Sequence, residues 1–171
     1  VVQRLEVRIL LQRSASWLYL SRLAALKEYA YLKALYDNGF PVPRPVDVNR
    51  HCVLMSMVNG YPMSQVGELA HPGKGYAQCM ELIMRFASFG LIHCDFNEFN
   101  LLVDDDERIT TIDFPQMVST SHRNAREYFE RDVTCIRVFF SRRFKFDSDE
   151  YPTWDDVVKR YDLDVDIAAS G

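Results

Sequence analysis

Glycine is scarce in this chain: there are seven in 171 residues, and none precedes Glu28. Cysteine is scarcer, and its four copies (Cys52, Cys79, Cys94 and Cys135) form no Cys-x-x-Cys pair. The ligand spacing of a structural zinc site is therefore missing. A disulfide framework is not expected in an intracellular chain of this size, so most of these cysteines read as small buried hydrophobes. No apolar run approaches the roughly 18 residues of a membrane span, and a start rich in Arg and Glu does not read as a signal peptide. Basic excess is absent too, since the formal net charge is −4. That argues against a globally charge-driven nucleic-acid binder, DNA included, while leaving room for a local basic face. The expectation is a soluble, intracellular protein that meets no membrane. What the chain does have is 48% hydrophobic and 13% aromatic residues, with no repeat and no linker-like stretch. That suits one domain with a real core.

The pattern along the chain predicts a mostly helical α+β fold. Residues 1–13 mix Val, Leu and Ile with Arg and Glu and fit either a strand or a helix end. A helix is predicted from Ser16 to Asn38, capped by Ser16, with Leu20, Leu23, Ala24, Leu26, Ala30 and Leu35 on a broad apolar face. Gly39 suits the position just past its end. Pro41, Pro43 and Pro45 hold the next stretch extended. His51 to Val58 reads as a short buried strand ended by Asn59-Gly60. A second helix is predicted from Gly75 to Phe89 with Gly90 as terminator, followed by a polar loop from Leu91 to Asn100. Leu101–Val103 and Ile109–Ile112 form a hairpin around Asp104-Asp-Asp-Glu-Arg108. Helix returns from His122 to Phe144, with Tyr128, Phe129, Val133, Ile136, Phe139 and Phe140 facing the core. Pro152 to Tyr161 is predicted as a last short helix.

The informative window is Leu91-Ile-His-Cys-Asp-Phe-Asn-Glu-Phe-Asn-Leu-Leu-Val103, followed by Thr111-Ile-Asp-Phe-Pro115. A His-x-Asp is followed five residues after the Asp by an Asn, then by a hairpin, then by a second Asp at the end of its second strand. This is the pattern of a kinase catalytic loop and the metal-binding Asp beyond it. Phosphoryl transfer needs a carboxylate near the attacking oxygen and separate oxygen ligands for magnesium. Asp95 is the candidate catalytic residue. Asn100 and Asp113 are the candidate metal ligands, brought together by the hairpin. Alone, each of these is more often a turn residue; the joint spacing carries the inference.

These residues resemble a known family. His93-Cys-Asp-Phe-Asn-Glu-Phe-Asn100, Ile112-Asp-Phe-Pro-Gln-Met-Val-Ser-Thr-Ser-His122 and Asn59-Gly-Tyr-Pro62 are similar to the RIO family of atypical kinases, in particular its second subfamily. The likeness runs over about residues 16–171. It implies a protein-kinase-like fold in which residues 1–58 are a remnant of the N-lobe and residues 59–171 the C-lobe. It implies ATP and Mg as cofactors and a Ser/Thr kinase or ATPase activity. In the family, the Asp matching Asp113 is associated with a phospho-aspartate. Glu28 falls where kinases keep the acid that pairs with the ATP-orienting Lys. Met55, Ser56, Met57 and Val58 resemble the hinge whose backbone meets adenine. The implied setting is cytoplasmic, with nuclear shuttling, and the implied partner is the pre-small-subunit ribosomal particle, both rRNA precursor and ribosomal proteins.

The sequence departs from that pattern in two main places. A kinase site uses a Gly-rich loop and a strand Lys, yet the only lysine before Glu28 is Lys27, its helical neighbour. On that ground the chain alone is expected to bind ATP poorly, and a non-catalytic ribosome-assembly module is the alternative reading. Cys94 stands where the family has Gly; ordinary kinases carry Arg there, so a backbone free of positive φ is expected. A reactive thiol is the sharper reading of Cys94 and a tolerated neutral replacement the plainer one. His93 is expected to be a packed, hydrogen-bonded residue rather than a base. Arg123, Arg126, Arg131, Arg137, Arg142 and Arg143 could present a basic strip to rRNA; because Glu127, Glu130 and Asp132 are interleaved with them, a salt-bridged solvated face is the default expectation. A small-molecule phosphotransferase shares His-x-Asp and the Asn, but the run from Asp113 to Thr120 speaks against it.

Overall fold

The computed structural model describes residues 17–169. The predicted cap Ser16 and the segment 1–13 lie outside the described residues. Helix α1 spans Trp17–Asp37 and ends on Gly39, whose φ of +71° is the left-handed turn expected of a glycine there. Strands β1 (Pro45–Asn49) and β2 (Cys52–Met55) pair antiparallel, with a bulge between Pro45 and Asp47. Two-residue β3 (Tyr61–Pro62) joins the hairpin β5 (Leu101–Val103) and β6 (Ile109–Thr111) in a three-stranded antiparallel sheet, order β3-β5-β6. Helix α2 (Pro72–Ser88) starts with proline in its first turn, where the missing N–H costs nothing. Strand β4 (Leu91–Ile92) pairs with β7 (Val118–Ser119). Helix α3 spans Ala125–Phe144 and α4 spans Leu163–Ala169.

The core lies between α2, α3 and the hairpin. Phe40 stacks on Phe86 at 5.0 Å, and Tyr76 meets Phe140 edge-on at 5.6 Å. Leu101, Ile136 and Phe140 are fully buried. No helix among the described residues is long and apolar enough to cross a membrane.

Three expectations need correction. The β2 strand is not buried: its side chains alternate between exposed and half-buried, because β1–β2 is a two-stranded ribbon with one face open. Helix α1 buries a narrower stripe than predicted. Ala25, Tyr31, Leu32 and Leu35 pack inward, whereas Leu20, Leu23 and Leu26 stay 44–48% exposed. The predicted helix from Pro152 to Tyr161 shrinks to a single 3-10 turn, Trp154–Asp156, closed by a capping box between Thr153 and Asp156. Beyond that turn the backbone runs along the end of α2. The Arg160 and Tyr161 amides donate to the Ser88 carbonyl at 2.7 and 3.1 Å, and the Leu163 amide to Phe89 at 3.1 Å. Gly90 sits beneath this strap at φ +82°, where a Cβ would meet Lys159 and Asp162 at 3.0–3.1 Å. The left-handed φ favours glycine there, and the backbone carbonyl of Tyr161, 3.2 Å from such a Cβ, leaves little room for a side chain.

Candidate active site

The loop after β4 is built on a buried acid. Asp132, from α3, is 2% exposed, and its two oxygens accept the amides of Cys94 at 2.9 Å and Phe96 at 3.2 Å. Burial raises its carboxyl to about 6, against the opposing pull of those two amides and of Arg131. Arg131 in turn donates to the Cys94 carbonyl. Asp132 is thus not part of the solvated charge ladder predicted for α3. It occupies the same helical stripe as Phe129, Val133 and Ile136, and that placement is the sequence signal by which it could have been found.

Between those two anchored amides, Asp95 turns its side chain toward Asn97 and Asn100. The Asn97 side-chain amide donates to Oδ1 at 2.8 Å. The Asn100 amide donates to Oδ2 at 3.0 Å and to the Asp95 carbonyl at 2.9 Å. With its nitrogen spent on Asp95, Asn100 offers Oδ1 to a cation. The Ile112 amide donates to the Asn100 carbonyl at 3.0 Å, which draws the end of the hairpin against the loop and sets Asp113 next to it. Partial desolvation, then the nearby Asp95 charge, hold the Asp113 carboxyl above the usual range. Asp113 has a φ of +69°, a left-handed conformation that Asp tolerates better than most residues.

Glu28 also reaches this cluster. Its Oε2 accepts the Phe114 amide at 2.6 Å. Burial raises its carboxyl to about 7; that amide opposes the rise and the Asp113 charge adds to it. Lys27, its neighbour, donates to the Met117 carbonyl at 3.2 Å. Glu28 therefore pairs with a backbone amide rather than with any lysine among the described residues. The structure brings Asp95, Asn100, Asp113 and Glu28 together. Met55–Val58 share no hydrogen bond with them among the described residues. The Ser56 amide donates to the Arg44 carbonyl at 2.8 Å, its hydroxyl accepts the Arg44 amide at 2.9 Å, and Met57 is 91% exposed.

One expectation about the loop is overturned. Cys94 has a φ of +67°, so this position does adopt the conformation that favours glycine; the Asp132 clamp and the Arg131 contact hold it there. The reactive-thiol reading fails, because Cys94 is buried and that burial pushes its thiol up to about 12. His93 packs as expected, against Phe86, Phe96 and Phe114 with ring centroids 5.5–5.9 Å away. Neither of its ring nitrogens, however, finds a partner of good hydrogen-bond geometry. Burial lowers it to about 4, only partly offset by the adjacent Ile112 backbone, so it is neutral near pH 7 and unsuited to act as a base.

The RIO domain family model matches residues 4–152. The chain belongs to the RIO family. It is 63% identical over 160 residues to the serine/threonine-protein kinase rio2 of Dictyostelium discoideum, covering 94% of this chain and 31% of that protein. It is 47% identical over 163 residues to rio2 of Schizosaccharomyces pombe, covering 94% and 47% respectively. Among solved structures, the Rio2 kinase–ADP/Mg2+–phosphoaspartate complex from Chaetomium thermophilum superposes with a TM-score of 0.84. The two are 47% identical, and the match covers 91% of this chain and 51% of the other. The fold is therefore the RIO kinase-like α+β fold. This RIO chain spans about a third to a half of the length of these relatives.

The donor set suits magnesium on one condition. Among the described residues no three His, Cys, Asp or Glu side chains form a metal cage of their own. Magnesium does not need one, because it binds through one or two carboxylates plus waters and substrate phosphates. Asp113 and the Oδ1 of Asn100 supply hard oxygen donors, and the mutual repulsion of Asp95 and Asp113 is what a shared cation would relieve.

Proposed function

We propose that the intact protein is a RIO-type Ser/Thr kinase or ATPase using ATP and Mg2+, with its phosphotransfer centre at Asp95, Asn100 and Asp113. The observation that carries this reading is the hydrogen-bonded Asp95–Asn100 pair with Asp113 drawn beside it by the Ile112–Asn100 bond. The ligand set of the Chaetomium Rio2 complex, ADP, Mg2+ and phosphoaspartate, is carried to this chain as part of the proposal. Magnesium, when bound, neutralises phosphate charge and fixes the phosphates in line. Asn100 and Asp113 would hold it, and Asp95 would orient an attacking hydroxyl or water and accept its proton. For ATP hydrolysis, an Asp113 oxygen bonds the γ-phosphorus as the bond to the β-phosphate oxygen breaks and ADP leaves. Water then cleaves the acyl phosphate, returning the carboxylate and releasing phosphate. Met55–Val58 would contact adenine through backbone groups.

The test is ATP turnover by the complete protein and its Asp95→Ala and Asp113→Ala variants, with circular dichroism to verify folding. Both variants are expected to lose turnover; unchanged turnover in either, with the fold retained, would refute the assignment.

A second reading draws on Glu28, which is engaged by the Phe114 amide and by no lysine among the described residues. In that reading the lobe is a non-catalytic module. Under either one, we propose that the partner is the pre-small-subunit ribosomal particle in the cytoplasm, with passage through the nucleus; the support is the family resemblance. Wild-type ATP turnover, measured beside co-sedimentation with pre-ribosomes, separates the two. A binding module would still join the particle as both variants and show no wild-type turnover.

A further inference from the structure

Helix α3 has a second face. Phe129, Val133, Ile136 and Phe140 point into the core. On the opposite side, residues at helical spacing border a shallow surface cleft of about 720 Å³, to which the loop after β4 contributes Glu98. The cleft lies close to the reacting groups: Glu98 is three residues past Asp95, and Arg131 of the same helix reaches the carbonyl of Cys94.

The groove is polar in a directional sense. Glu98, Glu127 and Glu130 stand at the loop end and the N-terminal half of α3, beside Arg131, whose guanidinium is turned to the Cys94 carbonyl, and Arg142 and Arg143 stand in the last turn. Among the described residues Glu98, Glu127 and Arg142 form no ion pair, and Glu130 reaches only Arg126, at 4.0 Å. Between the charged ends lie exposed Cys135 and Val138, the latter 41% exposed. Acid first and base last also suit a helix dipole. The dipole does not account for Glu98, which comes from another element, or for the apolar strip between the ends. Fifteen helical positions from Glu127 to Arg142 span about 22 Å, the length of about seven extended residues.

We propose that this groove docks an extended peptide segment of a protein partner. A basic residue lies at the Glu98–Glu127 end, an aliphatic side chain on Cys135 and Val138, and an acidic residue at Arg142. Three glutamates balance the three arginines of the lining, so the groove lacks the net positive charge that a phosphate backbone needs, which disfavours RNA as the occupant. The purpose of the groove rests on the phosphotransfer reading; its occupancy does not.

The test is fluorescence anisotropy with the complete protein and a labelled seven-residue peptide carrying two arginines at one end, a central leucine and two glutamates at the other. A scrambled peptide of the same composition and a twelve-nucleotide single-stranded RNA are the comparisons. The ordered peptide is expected to bind at least tenfold tighter than the scrambled one, and Glu127→Arg and Val138→Asp should each weaken it about tenfold. Arg142→Glu should weaken it too, and a peptide with arginines in place of the glutamates should recover that loss, which separates docking from misfolding. Equal binding of ordered and scrambled peptides, indifference to all three substitutions, or displacement of the peptide by the RNA would overturn the proposal. Turnover is measured separately: a wild-type protein that binds the peptide but hydrolyses no ATP would defeat the phosphotransfer reading alone.

Discussion

Asp132→Asn isolates one buried charge. Asparagine keeps the shape and one acceptor oxygen, so it gives up about one of the two amide contacts, at a cost of about 1 kcal/mol. In exchange it removes a carboxylate that burial has raised from 3.8 to about 6. At about 1.4 kcal/mol per pH unit, that span corresponds to about 3 kcal/mol of pH-dependent stability. A raised folded value means that the contribution of Asp132 is fully present below pH 3.8 and lost as pH rises through 6. The wild type should therefore gain stability relative to Asp132→Asn as pH falls from 7 to 4, by about 2 kcal/mol in all, with about half of it reached at pH 5. Urea titrations of both proteins across that range measure the gap, and subtracting one curve from the other cancels the other titrating groups. Parallel curves would mean that Asp132 is not a buried clamp on the loop.

His93→Leu should raise stability by about 1 kcal/mol in urea, since two buried nitrogens without good partners are replaced by apolar atoms among phenylalanines. Glu28→Gln keeps an acceptor for the Phe114 amide and removes a carboxyl whose contribution is present below pH 4.5 and lost as pH rises through about 7. Thermal melts should favour the variant at pH 8 by about 1 kcal/mol, a value discounted for partial exposure, with the advantage shrinking at pH 5. Iodoacetamide should modify exposed Cys52 and Cys135 in the native protein and leave Cys94 untouched by mass spectrometry. Cys94→Val should cost about 2 kcal/mol, because a β-branched residue fits the left-handed backbone poorly.

The hairpin was legible because Leu101–Val103 and Ile109–Thr111 are short apolar runs around an acidic turn, and the convergence of Asp95, Asn100 and Asp113 because that hairpin lies between them. Long-range anchoring was not. Asp132 lies 38 residues from Cys94, among other acids, and only its position on an apolar stripe sets it apart. Two-residue strands such as β4 and β7 have no periodicity to read; their pairing comes from the loop geometry around them. The positive φ of Cys94 is imposed by a clamp from another helix, which no local propensity reports. Leu20, Leu23 and Leu26 misled for the opposite reason. An apolar face shows what a helix is able to bury, and the described fold uses only part of it.

The strap over Gly90 joins chain positions some seventy residues apart into one opening unit. The carbonyls of Ser88 and Phe89, which a helix end otherwise leaves open, are closed by amides from Arg160, Tyr161 and Leu163, so fraying of the C-terminal segment and of the tip of α2 share one free energy. That tip leads directly into Leu91–Ile92 and His93. A disturbance far along the chain can thus travel to the loop that carries Asp95 by loosening the knot that starts it, without touching Asp95, Asn100 or Asp113.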